Sequence, residues 1–222
     1  MNETPVLVIG NRNYSSWSMR PWLLLRHFEV DFQERRLALD TGEFQAGIGA
    51  LSPSGRVPVL HHGKLVIWDS LAICEYANEA LLQGRGWPAE IAARAMGRAA
   101  CAEMHSGFQD LRGECPMNVR RRLERPLPLS AKAACDAARI AALWRALRAA
   151  HGGAGEFLLG DFGIADAYFA PVMFRFLTYG IAVGDVERRW FDAMLALPAT
   201  RAWTAAARAE PELIEKYEAI GA

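Results

Sequence analysis

In this chain of 222 residues every strand-like run lies before residue 70, and from Pro88 onward only alanine-rich helical periodicity remains. That asymmetry limits the fold to a small sheet-bearing unit followed by an all-helical one, α/β plus all-α. Residues 6 to 9, VLVI, form a short apolar run closed by Gly10 and a polar loop, the pattern of a buried strand. A helix is expected next, with Ser18 as its N-cap and Pro21 in its first turn, where the missing N–H costs nothing. A second strand is expected within 30 to 39 and a short helix within 40 to 54. Residues 57 to 61 and 64 to 68 then read as a hairpin turned at His62-Gly63, and Asp69-Ser70 opens a helix over 71 to 82.

The order strand, helix, strand, short helix, strand, strand, helix matches a thioredoxin-like layout. Residues 1–82 are assigned to that domain, 83–88 (QGRGWP) to a linker, and 89–222 to the helical domain. The helical part is interrupted at Pro116, at Pro126 to Pro128, between Gly152 and Gly155, at Gly180 and at Pro198. A formal net charge of zero gives no overall field to draw a phosphate backbone or an anionic membrane surface, so nucleic acid and membrane are not expected partners. The run Arg120, Arg121, Arg122 and Arg125 reads as the solvated face of a helix. Cys74, Cys101, Cys115 and Cys135 are widely spaced, with no CxxC pair, which points to a reducing, cytoplasmic setting. The N-terminal apolar run is too short for a signal peptide. Five scattered histidines offer no metal-ligand spacing, so no metal is expected.

Three segments carry chemistry. Residues 13 to 22, NYSSWSMRPW, put hydroxyls between the first strand and a helix N-terminus, whose free N–H groups and partial positive charge favour an anion. A free thiol is mostly protonated at neutral pH, so Ser15 or Ser16 donating there would stabilise a bound thiolate; helix capping alone is the competing explanation. In SPSGRVPV, residues 52 to 59, a cis Val57-Pro58 bond would present the Val57 backbone to an extended peptide, whereas a trans bond would make Pro58 an ordinary strand-edge proline. Asp69 and Ser70 stand at a helix entry after a strand. There they either cap the helix or take the ammonium and carboxylate of a γ-glutamyl head.

Together these segments resemble the glutathione transferase family, and SSWSMRPW is similar to the SSCS-type serine motif of zeta-class enzymes and maleylacetoacetate isomerases. The resemblance spans the whole chain. It implies that Ser15 or Ser16 activates the glutathione thiol, with Ser15 preferred, that Val57 binds the cysteinyl backbone, and that Asp69 with Ser70 binds the γ-glutamyl group. Arg56 is implied near the glycyl end, and Trp17, beside the thiol, replaces the family cysteine, which argues against thiol-disulfide chemistry on the protein itself. Residues 160 to 168, GDFGIADAY, look like the family's helix-capping segment, with Gly163 where a Ser or Thr is usual and Asp166 reaching back to its N–H. A helix holding Cys101, Met104, His105, Phe108 and Arg112 is expected to face the second substrate, with His105, Ser106 and Arg112 as pocket residues.

The implied activity is conjugation of the glutathione thiol to small apolar electrophiles, as in detoxification. Two alternatives are a maleylacetoacetate-type isomerase, with Arg175 or Arg112 meeting its dicarboxylate, and a non-catalytic glutathione-binding or stress protein. Glutathione is the expected co-substrate, and a homodimer the expected assembly.

Overall fold

The structure is a computed structural model that describes residues 3 to 221. In chain order it contains β1 (Val6–Ile9), α1 (Ser16–His27), β2 (Gln33–Arg36), α2 (Gly42–Ile48), β3 (Val59–His62), β4 (Leu65–Trp68) and α3 (Ser70–Ala80). There follow α4 (Ile91–Ser106), α5 (Gln109–Glu114), α6 (Ala131–His151), α7 (Ile164–Tyr179), α8 (Asp185–Ala196), α9 (Pro198–Ala209) and α10 (Glu215–Glu218). The sheet order is β2-β1-β3-β4, with β1 parallel to β2 and the other pairs antiparallel. This is the thioredoxin-like arrangement that the order of elements predicts.

Alternation along β1 sends its side chains to opposite faces. Leu7 and Ile9 join the main core, while Val8 joins a smaller cluster with Leu37, Ile48 and Val59 on the side of α2. The main core does not stop at the sheet-bearing half. It runs from Leu23 and Leu24 of α1 through Ile73 of α3 to Cys101 of α4, Trp144 of α6 and Phe169 of α7. Asp166 anchors the start of α7. Its carboxylate accepts the N–H groups of Gly163 (3.0 Å) and Leu158 (2.8 Å) and the indole N–H of Trp190 (2.8 Å). Gly163 has no side chain to complete a reciprocal cap, so the carboxylate alone serves this helix start.

Several local expectations are corrected. Helix α1 begins at Ser16 with Ser15 in the capping position, so Ser18 is not the cap and Pro21 lies inside the helix. There it leaves the Trp17 carbonyl without its usual donor. The Ser18 hydroxyl instead accepts the Gly10 N–H at 3.1 Å, tying the helix to the end of β1. The helix expected to carry both His105 and Arg112 is two helices. Gly107 ends α4, and Phe108 in the left-handed region (φ 59°) starts α5 in a new direction.

The arginine run is not helical either, and while Arg122 and Arg125 are exposed, Arg120 and Arg121 are half-buried. Residues 116 to 129 lie outside the helices, and Arg120 donates to the carbonyls of Glu210 and Glu212 and to the Tyr14 hydroxyl. Arg121 donates to the carbonyls of Glu218 and Ile220. These bonds fasten the segment 210 to 221 to the irregular stretch that holds Arg120 and Arg121. Lys216–Asp40 (2.7 Å) and Arg36–Glu212 (2.8 Å) ion pairs hold it as well.

Candidate functional site

The loop between β1 and α1 is fixed by its own amides. The Asn11 carbonyl accepts the N–H of Ser15 at 2.8 Å, its side-chain oxygen accepts the N–H of Leu39 at 2.7 Å, and Asn13 bonds Asn118 at 3.0 Å. Ser15 and Ser16 are thereby held at the N-terminus of α1, only 6% and 8% exposed. Ser15 occupies the capping position but its side chain makes no capping bond; its hydroxyl donates to Ser18 Oγ at 2.7 Å. Ser16 Oγ accepts Nη2–H of Arg175, on α7, at 3.3 Å. The Ser16 amide is taken by the Tyr14 carbonyl at 2.9 Å, while the next amides of the first turn have no intrahelical acceptor and stand beside the Ser16 hydroxyl.

The Val57-Pro58 bond is cis. Val57 stands just before β3, outside its paired register, which starts at Val59. Asp69 caps α3 in a positive-φ conformation (φ 77°), with Oδ1 accepting the N–H groups of Leu71 (2.8 Å) and Ala72 (3.2 Å). Its other oxygen faces His105 Nε2 at 3.3 Å. Ser70 is buried, and its Oγ lies 3.3 Å from the Tyr168 hydroxyl.

Two adjoining cavities, each of about 470 Å³, use these groups. The first contains Asp69, Ser70, His105 and Ser106; the second contains Ser15, Ser16, Arg175, Met117 and Tyr217. Trp17, Arg56, Val57, Gln109 and Arg112 line both. His105 and Ser106, expected with the electrophile, therefore share the cavity of Asp69 and Ser70, while Arg112 stands on the common wall. A larger depression of about 920 Å³, between His27, Arg85, His151 and Phe162, shares no lining residue with either.

Three arginines, Arg20, Arg112 and Arg175, crowd the region. Arg20 is buried, with its guanidinium 3.9 Å from the centre of the Trp17 ring and 4.2 Å from that of Tyr168, and Nε donating to the Tyr168 carbonyl at 3.0 Å. Arg112 lies 4.9 Å from the Trp17 ring. Among the described residues no carboxylate forms an ion pair with Arg20, Arg112 or Arg175. Burial pushes Arg20 down to about 10, and burial together with repulsion from Arg20 and Arg112 pushes Arg175 down to about 9. Unpaired buried cations of this kind favour an anionic guest. The sequence reading did not single out Arg20, Tyr168 or Tyr217. Arg20 alone carried a signal, as a charge within the apolar face of a helix beginning at a hydroxyl-rich loop.

Fold and site together define a two-part protein with a thioredoxin-like half carrying a hydroxyl-lined helix start and a helical half completing the second cavity. Residues 14–80 match the family described as glutathione S-transferase, N-terminal domain. The chain is 30% identical over 180 residues to glutathione S-transferase 1 of Dianthus caryophyllus, covering 80% of each. It is also 30% identical over 171 residues to maleylacetoacetate isomerase of Rattus norvegicus, covering 75% of this chain and 76% of that one. A similar solved structure is a glutathione transferase homologue from Burkholderia with bound glutathione, at a TM-score of 0.72 and 24% identity, covering 94% of this chain and 100% of that one. This chain belongs to the glutathione S-transferase family.

Proposed function

We propose that the protein is a glutathione transferase, conjugating the glutathione thiol to small electrophiles, with residues 1–82 holding the tripeptide and 89–222 contributing Gln109, Arg112, Met117, Arg175 and Tyr217 to the electrophile pocket. The observation that carries this reading is the pair of adjoining cavities meeting at Trp17 and Val57. In it, Asp69 and Ser70 receive the γ-glutamyl head, the Val57 backbone pairs with the cysteinyl residue, and Arg56 meets the glycyl carboxylate. The thiol lies at the start of α1, where the Ser16 hydroxyl and first-turn amides stabilise the thiolate and Ser15, whose proton is directed to Ser18, lies beside them. The thiol proton leaves to solvent, and the sulfur attacks the electrophilic carbon held in the second cavity; with an aromatic halide the C–S bond forms as the carbon–halogen bond breaks and halide departs to solvent. Calorimetry with reduced glutathione, followed by conjugation of an aromatic halide, tests binding and turnover in turn; absence of binding heat rejects the reading.

A second reaction is favoured by the three arginines without carboxylate partners. Reversible addition of the thiolate to a cis double bond of a dicarboxylate, as in maleylacetoacetate isomerisation, uses anionic substrates, and Arg175 and Arg112 border the cavity in which the sulfur acts. Turnover of maleylacetoacetate against that of a neutral aromatic halide discriminates between the two.

A homodimer in a reducing cytoplasm, serving detoxification, completes the proposal. Its support is the edge strand β4, whose Leu65 and Val66 are 45% and 38% exposed, together with four cysteines that form no disulfide. Light scattering of the purified chain reads the assembly directly.

A further inference from the structure

His105 belongs to α4, in the helical half, yet it is connected to both groups assigned to the γ-glutamyl head, to Asp69 directly and to Ser70 through Tyr168. Its Nε2 lies 3.3 Å from Asp69 Oδ2, and its Nδ1 lies 2.6 Å from the Tyr168 hydroxyl. That hydroxyl is in turn 3.3 Å from Ser70 Oγ. The carboxylate at one end can only accept, so with His105 as a neutral imidazole the bonds of the chain all run one way. Nε2–H donates to Asp69, the Tyr168 hydroxyl donates to Nδ1, and the Ser70 hydroxyl donates to Tyr168. Four side chains from three elements thus form one directed circuit that begins and ends at neighbouring residues.

The circuit is held in place from both sides. The His105 ring packs 5.2 Å from Trp17 and stacks on Tyr168 at 19° between planes. Tyr168 is fixed from behind by the buried Arg20 guanidinium. Asp69 Oδ1 is already occupied by two amides of α3, so the oxygen facing His105 is the one left for a ligand cation. A single donor from His105 leaves a lone pair on that oxygen for an ammonium group.

We infer that His105 is a positioning residue for glutathione. It sets the orientation of Asp69 directly and that of Ser70 through Tyr168, so that the α-amino and α-carboxylate groups of the γ-glutamyl head meet a preformed site. The inference rests on the glutathione reading above. It assigns to the helical half a part in tripeptide binding as well as in binding the electrophile.

The test measures glutathione affinity by calorimetry, together with KM for glutathione and kcat, in His105→Ala, His105→Gln, Tyr168→Phe and Asp69→Asn. Loss of the preformed orientation in His105→Ala is expected to weaken glutathione binding about tenfold, with kcat at saturating glutathione within about twofold of wild type. His105→Gln keeps a donor toward Asp69 and recovers most of the affinity. Tyr168→Phe, which removes one oxygen and leaves the packing intact, shows a smaller loss of the same kind, about threefold. Combining His105→Ala with Asp69→Asn costs no more than Asp69→Asn alone.

Equal affinity in wild type and in both His105→Ala and Tyr168→Phe overturns the inference. So do His105 and Asp69 losses that multiply, or a fall confined to kcat. Should His105→Ala fail to fold, Tyr168→Phe decides alone. A wild-type chain that gives no heat with glutathione rejects the glutathione reading itself, a result distinct from equal binding by wild type and variants.

Discussion

Arg175 donates from α7 to the hydroxyl oxygen of Ser16, across 3.3 Å, at the point where the two halves of the chain meet over the start of α1. Because the Ser16 oxygen is the acceptor, its own proton remains available to a guest in the cavity, whereas the Ser15 proton is engaged with Ser18. Replacing both serines with Ala is expected to raise the pH at which bound thiolate forms by about one to two units and to lower kcat/KM about 100-fold. Ultraviolet titration of the bound thiol reads the first effect, and the two single variants rank the hydroxyls. An unchanged titration in the double variant removes both serines from the mechanism.

Arg175 itself separates stability from activity. Its charge is buried beside two other cations with no carboxylate partner, so Arg175→Met is expected to hold or raise the thermal midpoint of the apo-protein. The same variant should raise KM for an anionic electrophile about tenfold or more, with a neutral aromatic halide changed less than about threefold. Equal losses for the two substrates would show that the guanidinium does not read substrate charge.

The Asp166 carboxyl gives the fold a pH dependence whose sign can be worked out. Burial pushes it up to about 6 from an ordinary 3.8, against the downward pull of the Leu158, Trp190 and Gly163 donors. The folded chain keeps a proton that the unfolded chain releases, so stability tied to this group is full below pH about 4 and is lost as pH rises through about 6. Asp166→Asn cannot titrate. Wild type is expected to lose about 2 kcal/mol relative to this variant between pH 4 and 7, read from urea unfolding. A gap that stays constant with pH contradicts the assignment.

Asp166→Ala is a harsher change, leaving three buried donors without an acceptor. A loss of about 3 to 5 kcal/mol is expected. Trp190→Phe withdraws one donor and keeps most of the packing, and should cost about 1 kcal/mol. Thermal unfolding of the pair checks both; equal effects would mean that ring packing outweighs the carboxylate network.

Tyr217 reaches the second cavity from the C-terminal strap, with its ring 5.8 Å from that of Tyr14. Tyr217→Ala should raise KM for the electrophile by about three- to tenfold while KM for glutathione stays as it was. Steady-state kinetics with each substrate varied in turn makes the comparison, and a matching rise in both constants rules out a role confined to the second cavity.

Much of this architecture was legible in local pattern. The run 6 to 9, the hairpin either side of Gly63 and the Asp69-Ser70 helix entry announce themselves through alternation and turn chemistry, and each lies within a residue or two of its expected bounds. Errors arose where distant residues decide. Helical spacing continues from His105 to Arg112, but Gly107 and Phe108 turn the chain between them, so the two side chains stand on different helices. Arg120 and Arg121 look solvated until residues 210 to 221 fold back over them, nearly a hundred positions later. The circuit of Asp69, Ser70, His105 and Tyr168 was hidden for the same reason, since only its first two members are neighbours in sequence.

The shared wall of Trp17, Arg56, Val57, Gln109 and Arg112 has a kinetic consequence. A tripeptide seated in the first cavity becomes part of the surface that the second guest meets, so the two substrates are thermodynamically linked. By reciprocity, whatever factor glutathione contributes to electrophile affinity, the electrophile returns to glutathione. A conjugate spanning both cavities engages the two sets of contacts at once, which makes product inhibition stronger than either substrate's affinity alone foretells.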